Sequence, residues 1–306
     1  MPGIVIGDGR DFGNRTVMNF EESALCFSCR DAWLYGVLSL PERPVARGVL
    51  VVVGGPQYRA GSHRQFTLLA RDLSSHGVPV MRFDYRGMGD SEGSARNFEE
   101  VNDDLRCAID HFFQQVPSLE ELVVWGLCDA ASAALFYASD DRRVTGLVLL
   151  NPWVRTEESI AKTYLSHYYL ARLLEPELWR KIFGGKFNYA AAGRSFLTLM
   201  GDAFFGNKKQ AAAIEAGGVV RNLVPMHERM CDGLRRFKGS VLLILSGDDF
   251  TAREFSDLAN ASRKWRTLLR SSRVTRFDLP QANHTFSRRE WRDQVATWTR
   301  EWLRAW

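Results

Sequence analysis

Six apolar runs, each about one strand long and most parted from the next by a helical pattern, constrain this chain more than any other feature. They are "GVLVVVGG" (48–55), "VPVMRFDY" (78–85), "ELVVWGL" (121–127), "VTGLVLLNP" (144–152), "GSVLLILSG" (239–247) and "RVTRFDLP" (273–280). Most lack the in–out alternation of a half-exposed sheet, so both faces of such strands must be covered. Helical periods such as "HRQFTLLARDLSSHG", with Ser62 as its expected N-cap, and "NFEEVNDDLRCAIDHFFQQV" supply the cover. "ALCFSC" and "WLYGVLSLP" read as an opening antiparallel pair. The expectation is an α/β fold: a mostly parallel eight-stranded sheet flanked by helices.

One interval breaks the rhythm. Between Trp153 and about Phe237 no strand is legible, only helical segments rich in aromatic residues. An insertion of that length after a sheet strand predicts a helical cap over 153–237, with the core formed by 1–152 and 238–306. With 45% hydrophobic and 12% aromatic residues, the chain can fill such a core. Residues up to about Thr16 are Gly-rich and polar and read as a loose extension. No basic segment precedes an apolar one at the N-terminus, and no run is long enough to span a bilayer, so a cytoplasmic protein is expected. The net charge of +4 comes from scattered basic residues without runs, which points away from nucleic acid. Five cysteines make an odd count, and the lone pair Cys26–Cys29 lacks the second ligand pair that zinc would need. No metal and no organic cofactor is expected.

The stretch "ELVVWGLCDAASAALF" (121–136) is a strand, a tight turn and a helix of small residues. That sequence of elements displays a nucleophile on a sharp elbow, which needs small residues two before and two after the apex because the backbone closes in there. Gly126 and Ala130 fill those places around Cys128. A helix N-terminus just beyond the apex favours a thiolate. A literal G-x-S-x-G, "GDSEG" at 89–93, nominates Ser91 instead, but it lies in a polar Gly-rich loop with no strand running into it and is set aside.

A thiol at such an elbow needs a histidine to take its proton and a carboxylate to orient that histidine. His284, in "LPQANHTF" after the last expected strand, is best placed, while His63 in "GSHRQF" is a candidate for substrate binding. "LSGDDFTAREF" offers Asp248 and Asp249 as the acid, with Asp249 further into the loop. One oxyanion donor is expected from the Asp129 backbone N–H. The other should come from the loop after "VLVVVGG", where Pro56 has no N–H and the role passes to Gln57. Trp153, at the mouth of the insertion, is the second substrate-binding candidate.

Strand order, the "FDYRGMGDS" loop, the elbow, the late acid and the final histidine together resemble the α/β-hydrolase fold across nearly the whole chain. Within it, "GGPQYRAGSHRQF", "GLCDAAS" and "SGDDFTAREF" resemble the exosortase A system-associated hydrolase type 1 family. That resemblance implies a cytoplasmic hydrolase-like enzyme. Dienelactone hydrolases and polyhydroxyalkanoate synthases are similar in carrying Cys at the elbow. The expected activity is therefore hydrolysis or acyl transfer on a small-molecule or carrier-bound ester or thioester with an apolar acyl group, through a thioester acyl-enzyme. A catalytically silent ligand-binding protein on the same fold is the alternative.

Overall fold

The computed structural model describes residues 4–6, 18–55, 57–154 and 224–306. The chain divides into two compact units, Met1–Val154 with Glu228–Trp306, and Arg155–His227. The expected cap therefore falls largely outside the described residues.

Nine strands, β1 (Ile4–Ile6), β2 (Phe20–Cys29), β3 (Ala32–Pro41), β4 (Arg47–Val52), β5 (Val80–Phe83), β6 (Glu121–Leu127), β7 (Val144–Leu150), β8 (Ser240–Asp248) and β9 (Val274–Asn283), form one sheet in the order β1-β2-β3-β5-β4-β6-β7-β8-β9. The eight expected strands are all present. The ninth, β1, pairs antiparallel with β2, Ile4 facing Glu22 and Ile6 facing Phe20, within the segment read as a loose extension. Three apolar residues bounded by glycines are too few for a period to show. From β5 to β9 all pairs are parallel, and β2, β3 and β5 join antiparallel.

The described helices include α1 (Gln65–Ser75), α2 (Asn102–Gln115), α3 (Asp129–Tyr137), α4 (Met226–Arg236), α5 (Phe250–Ala261), α6 (Arg263–Leu269) and α7 (Arg289–Arg304). Val49, Val51 and Val53 pack with Phe66, Leu69 and Leu73 of α1 and with Val295, Trp302 and Leu303 of α7. Leu50 and Val52 point the opposite way and are equally buried, so the continuous apolar run is explained by cover on both faces. Each such side chain stabilises the fold by about 1.5–3 kcal/mol. Among the described residues no helix is long and apolar enough to cross a membrane.

Ser62 does not cap α1. The chain first makes a short 3-10 turn, Ser62–Arg64, with His63 and Arg64 at φ of 51° and 60°. The helix starts only at Gln65, and the Ala60 carbonyl accepts the Phe66 and Thr67 N–H groups in place of a side-chain cap. Two buried carboxylates hold the loops at the strand ends. Asp104 accepts from the Arg86 backbone and guanidinium, each bond 2.9 Å. Asp84 accepts the Arg59 N–H at 2.6 Å and pairs with its guanidinium, tying the loop after β4 to the loop after β5. Burial nevertheless holds the Asp84 carboxyl above its ordinary value.

Chain direction across the sheet reverses around β4, since β5 lies on one side of it and β6 on the other. The loops after β4 and β6 thus lie at the carboxyl ends of these strands, the place where an open α/β sheet presents a ligand site.

Candidate active site

Cys128 stands between β6 and α3 at φ 62°, ψ −125°, a conformation that a non-glycine residue adopts at a cost of about 1–3 kcal/mol. Its surroundings over-determine it. The Cys128 N–H donates to the Leu150 carbonyl at 2.9 Å, and its carbonyl accepts from Ala131, Ser132 and Trp153 N–H groups. Small residues let the turn close: a Cβ added at Gly126 would lie 2.6 Å from the Ala130 carbonyl carbon. Ala130 to Ala134, with Ser132 among them, are all buried, so α3 lies flat on the sheet.

The remaining groups converge from β8 and β9. His284 follows β9 directly, in a turn closed by Phe286 N–H to the Asn283 carbonyl and by two bonds between Asn283 and Ser287. Its Nδ1 bonds to Asp249 Oδ2 at 2.9 Å, and the Cys128 thiol lies close enough to the ring to raise its pKa. Asp249 is held in turn as the N-cap of α5, accepting from Thr251 N–H at 3.2 Å and Ala252 N–H at 3.1 Å. Of the two candidate aspartates, Asp248 is exposed and Asp249 faces the ring. The imidazole pKa is pushed up to about 10, first by the Asp249 hydrogen bond, then by the nearby Cys128 thiol, against the opposing effect of burial.

On the other side of the thiol, the Asp129 carboxylate reaches across to the loop after β4. It accepts Gly55 N–H at 2.9 Å and Ala130 N–H at 3.0 Å. Burial raises this carboxyl above its ordinary value despite those bonds. Gln57 is half-buried on the same loop, and its side-chain oxygen accepts Ser62 N–H at 3.0 Å.

Cys128, His284 and Asp249 are thus brought together, with Asp129 beside them. Trp153 is tied to the elbow through its backbone, its N–H on the Cys128 carbonyl and its carbonyl accepting from Ser132 Oγ at 2.6 Å, while its ring lies edge-on to Phe98. His63 is exposed on its left-handed turn, and no described hydrogen bond joins it to the three central residues. Ser91 is buried, its hydroxyl donating to the Asp84 carbonyl and accepting from Tyr35 N–H, so it serves the loop. One residue was not foreseen. Asn151, buried at φ 43° after β7, donates to Ser246 Oγ at 2.8 Å and to the His284 carbonyl at 3.1 Å, and accepts Ser246 N–H. An Asn ahead of Pro152, ending an apolar run, was the available signal, since Asn tolerates the left-handed region.

Residues 44–188 match the family model described as serine aminopeptidase, S33. Over 94 residues, 28% of this chain and 31% of the other, the sequence is 29% identical to the polyketide transferase grgF of a Penicillium species. The esterase Pf2001 of Pyrococcus furiosus superposes with a TM-score of 0.64 at 16% identity, covering 94% of this chain and 92% of that one. The dienelactone hydrolase of Anabaena variabilis gives 0.58 at 15% identity, covering 93% and 97%. With the strand order and elbow described above, these likenesses show that this chain has the α/β-hydrolase fold.

Proposed function

We propose that the protein is an acyl-transferring or acyl-hydrolysing enzyme in which Cys128, His284 and Asp249 act as nucleophile, base and orienting acid. The observation that carries this reading is the imidazole lying between the Asp249 carboxylate and the Cys128 thiol at the apex of a strained elbow. With Nδ1–H donated to Asp249, the other ring nitrogen takes the thiol proton. The sulfur attacks the carbonyl carbon of an ester or thioester, and the charge that develops on oxygen is met by the N–H groups of Asp129 and Gln57. Collapse expels the alcohol or thiol, which leaves with the proton returned by His284, and a thioester to Cys128 remains. An acceptor then gives its proton to His284 and attacks, and the sulfur departs.

Transfer to an alcohol, amine or thiol stands beside hydrolysis for two reasons. A thioester keeps its carbonyl open to such acceptors, and the partial relative is a polyketide transferase by name. An apolar acyl group, held on a small molecule or a carrier, and kinship with the exosortase A system-associated type 1 hydrolases belong to the same proposal, as do the contributions of His63 and Trp153 to binding. A cytoplasmic setting is part of it too.

The test is intact-protein mass spectrometry after incubation with a panel of acyl thioesters. An acyl adduct on Cys128, absent from Cys128→Ala, with turnover lost in the same variant, is expected. Full turnover by Cys128→Ala would end the proposal and leave another nucleophile, while neither adduct nor turnover in the wild-type protein would leave the silent binding protein. Breakdown of the adduct that is fast in water and indifferent to every acceptor would leave a thioesterase or esterase.

A further inference from the structure

Among the groups that the mechanism above leaves unused, the Asp129 side chain is the one that adjoins the nucleophile and links it to the loop after β4. It stands one residue past the nucleophile, yet its carboxylate binds the loop after β4, through Gly55 N–H, and the first turn of α3, through Ala130 N–H. The two segments that must cooperate around a developing oxyanion are therefore joined by one side chain. Both glycines of the loop are shaped around it. A Cβ at Gly54 would fall 2.2 Å from Asp129 Oδ1, so only glycine leaves room for the carboxylate. Gly55 at φ 59° turns its N–H onto the other oxygen. Beyond it Pro56 has no N–H to offer, so the position of Gln57 depends on how Gly55 is held.

We infer that Asp129 is a positioning residue for the proposed acyl chemistry: its carboxylate bolts the loop after β4 to the nucleophile elbow and thereby sets the oxyanion donors of that loop. This inference rests on the reading of Cys128 as nucleophile. It differs from the backbone role already given to Asp129, because here the side chain acts through Gly55 and never touches substrate. Helix dipole and amide bonds favour the charged form in that place, and burial opposes it.

The experiment compares two reactions of the same sulfur. Acylation by a chromogenic ester, p-nitrophenyl acetate, develops an oxyanion. Alkylation by iodoacetamide develops none and needs only the thiol and His284. In Asp129→Ala, kcat for the ester should fall about 10- to 100-fold while KM stays within about threefold, as expected when donors aimed at the transition state are displaced. Alkylation of Cys128 should stay within about threefold of wild type. Asp129→Asn keeps one acceptor and should lie between wild type and Ala. Because Asn keeps the volume of the side chain, Asp129→Asn also covers the case in which the Ala variant fails to fold. Ester turnover that is unchanged or faster in Asp129→Ala overturns the inference. So does a parallel fall of acylation and alkylation, which marks a merely structural residue. Failure of the underlying reading looks different: wild-type protein would then turn the ester over without an adduct on Cys128, whatever stands at 129.

Discussion

Replacing Asp249 by Asn removes one charge and nothing in shape, and the consequences follow from its three partners. Asp249 Oδ1 accepts Thr251 N–H, while Oδ2 accepts both Ala252 N–H and His284 Nδ1–H. An amide has one oxygen. With its oxygen in the Oδ1 place it keeps only Thr251 N–H, and its NH2 meets both Ala252 N–H and Nδ1. With its oxygen in the Oδ2 place it keeps Ala252 N–H and the His284 Nδ1–H, and its NH2 opposes Thr251 N–H at a cost of about 1–3 kcal/mol. The second arrangement keeps two of the three bonds, so Asp249→Asn should fold with a stability loss of about 1–3 kcal/mol; in either arrangement no negative charge faces the imidazolium, and activity should fall about 10²- to 10⁴-fold. The imidazole stands at about 10 against an ordinary 6.5, chiefly through Asp249. The upper limb of the pH–rate profile for acylation should therefore move down from about pH 10 toward neutrality in the variant. Pre-steady-state acylation by a chromogenic ester across pH 5–11, with thermal melts alongside, measures both. Turnover within about threefold of wild type, with the limb unmoved, would refute the assignment of acid and base together.

Three further outcomes are open to direct measurement. Ser91→Ala should lower stability by about 1–3 kcal/mol, because the Tyr35 N–H and the Asp84 carbonyl lose a partner, yet leave kcat within about twofold; a selective loss of kcat would revive the "GDSEG" serine. Gly126→Ala should destabilise by about 1–3 kcal/mol and slow alkylation of Cys128, since its Cβ would lie 2.6 Å from the Ala130 backbone; melting and alkylation both like wild type would contradict the close approach. The folded imidazole binds its proton more tightly than an unfolded one, so His284 contributes stability in full below about pH 6.5 and loses it as pH rises through about 10; denaturant midpoints that stay flat across that window in wild type, or that fall equally in His284→Ala, would contradict it.

Much of the fold was legible because buried parallel strands carry a signal that survives without tertiary context: "VLVVV" and "LVLL" tolerate few other readings. The elbow was legible for a related reason, since close backbone approach demands small residues at set positions around Cys128. What stayed hidden depends on backbone angles that side chains do not announce. His63 and Arg64 take positive φ with no glycine to advertise it, which moved the start of α1 past Ser62. Asn151 acts through three bonds to segments about 95 and 133 positions away, beyond the reach of any local pattern. The Asp129 carboxylate was hidden likewise, because what it binds is a main-chain N–H 74 positions earlier. Asp249 was separable from Asp248 in principle, as an N-cap residue just ahead of "FTAREF".

The strand order also dictates a schedule for synthesis. β4, buried from Gly48 to Val52, pairs only with β5 and β6, both later in the chain. Its run of valines leaves the ribosome with no partner behind it, since β2 and β3 do not touch it. At about 5–20 residues per second, the roughly 75 residues up to the end of β6 take about 4–15 s to appear. β7 waits longer, because β8 begins about 90 residues after it ends. During those intervals a nascent chain presents uncharged, β-prone segments of the kind that holding chaperones bind and that aggregate when left alone. Yield in a host should thus respond to synonymous pauses placed between β4 and β6, which alter no contact in the finished protein.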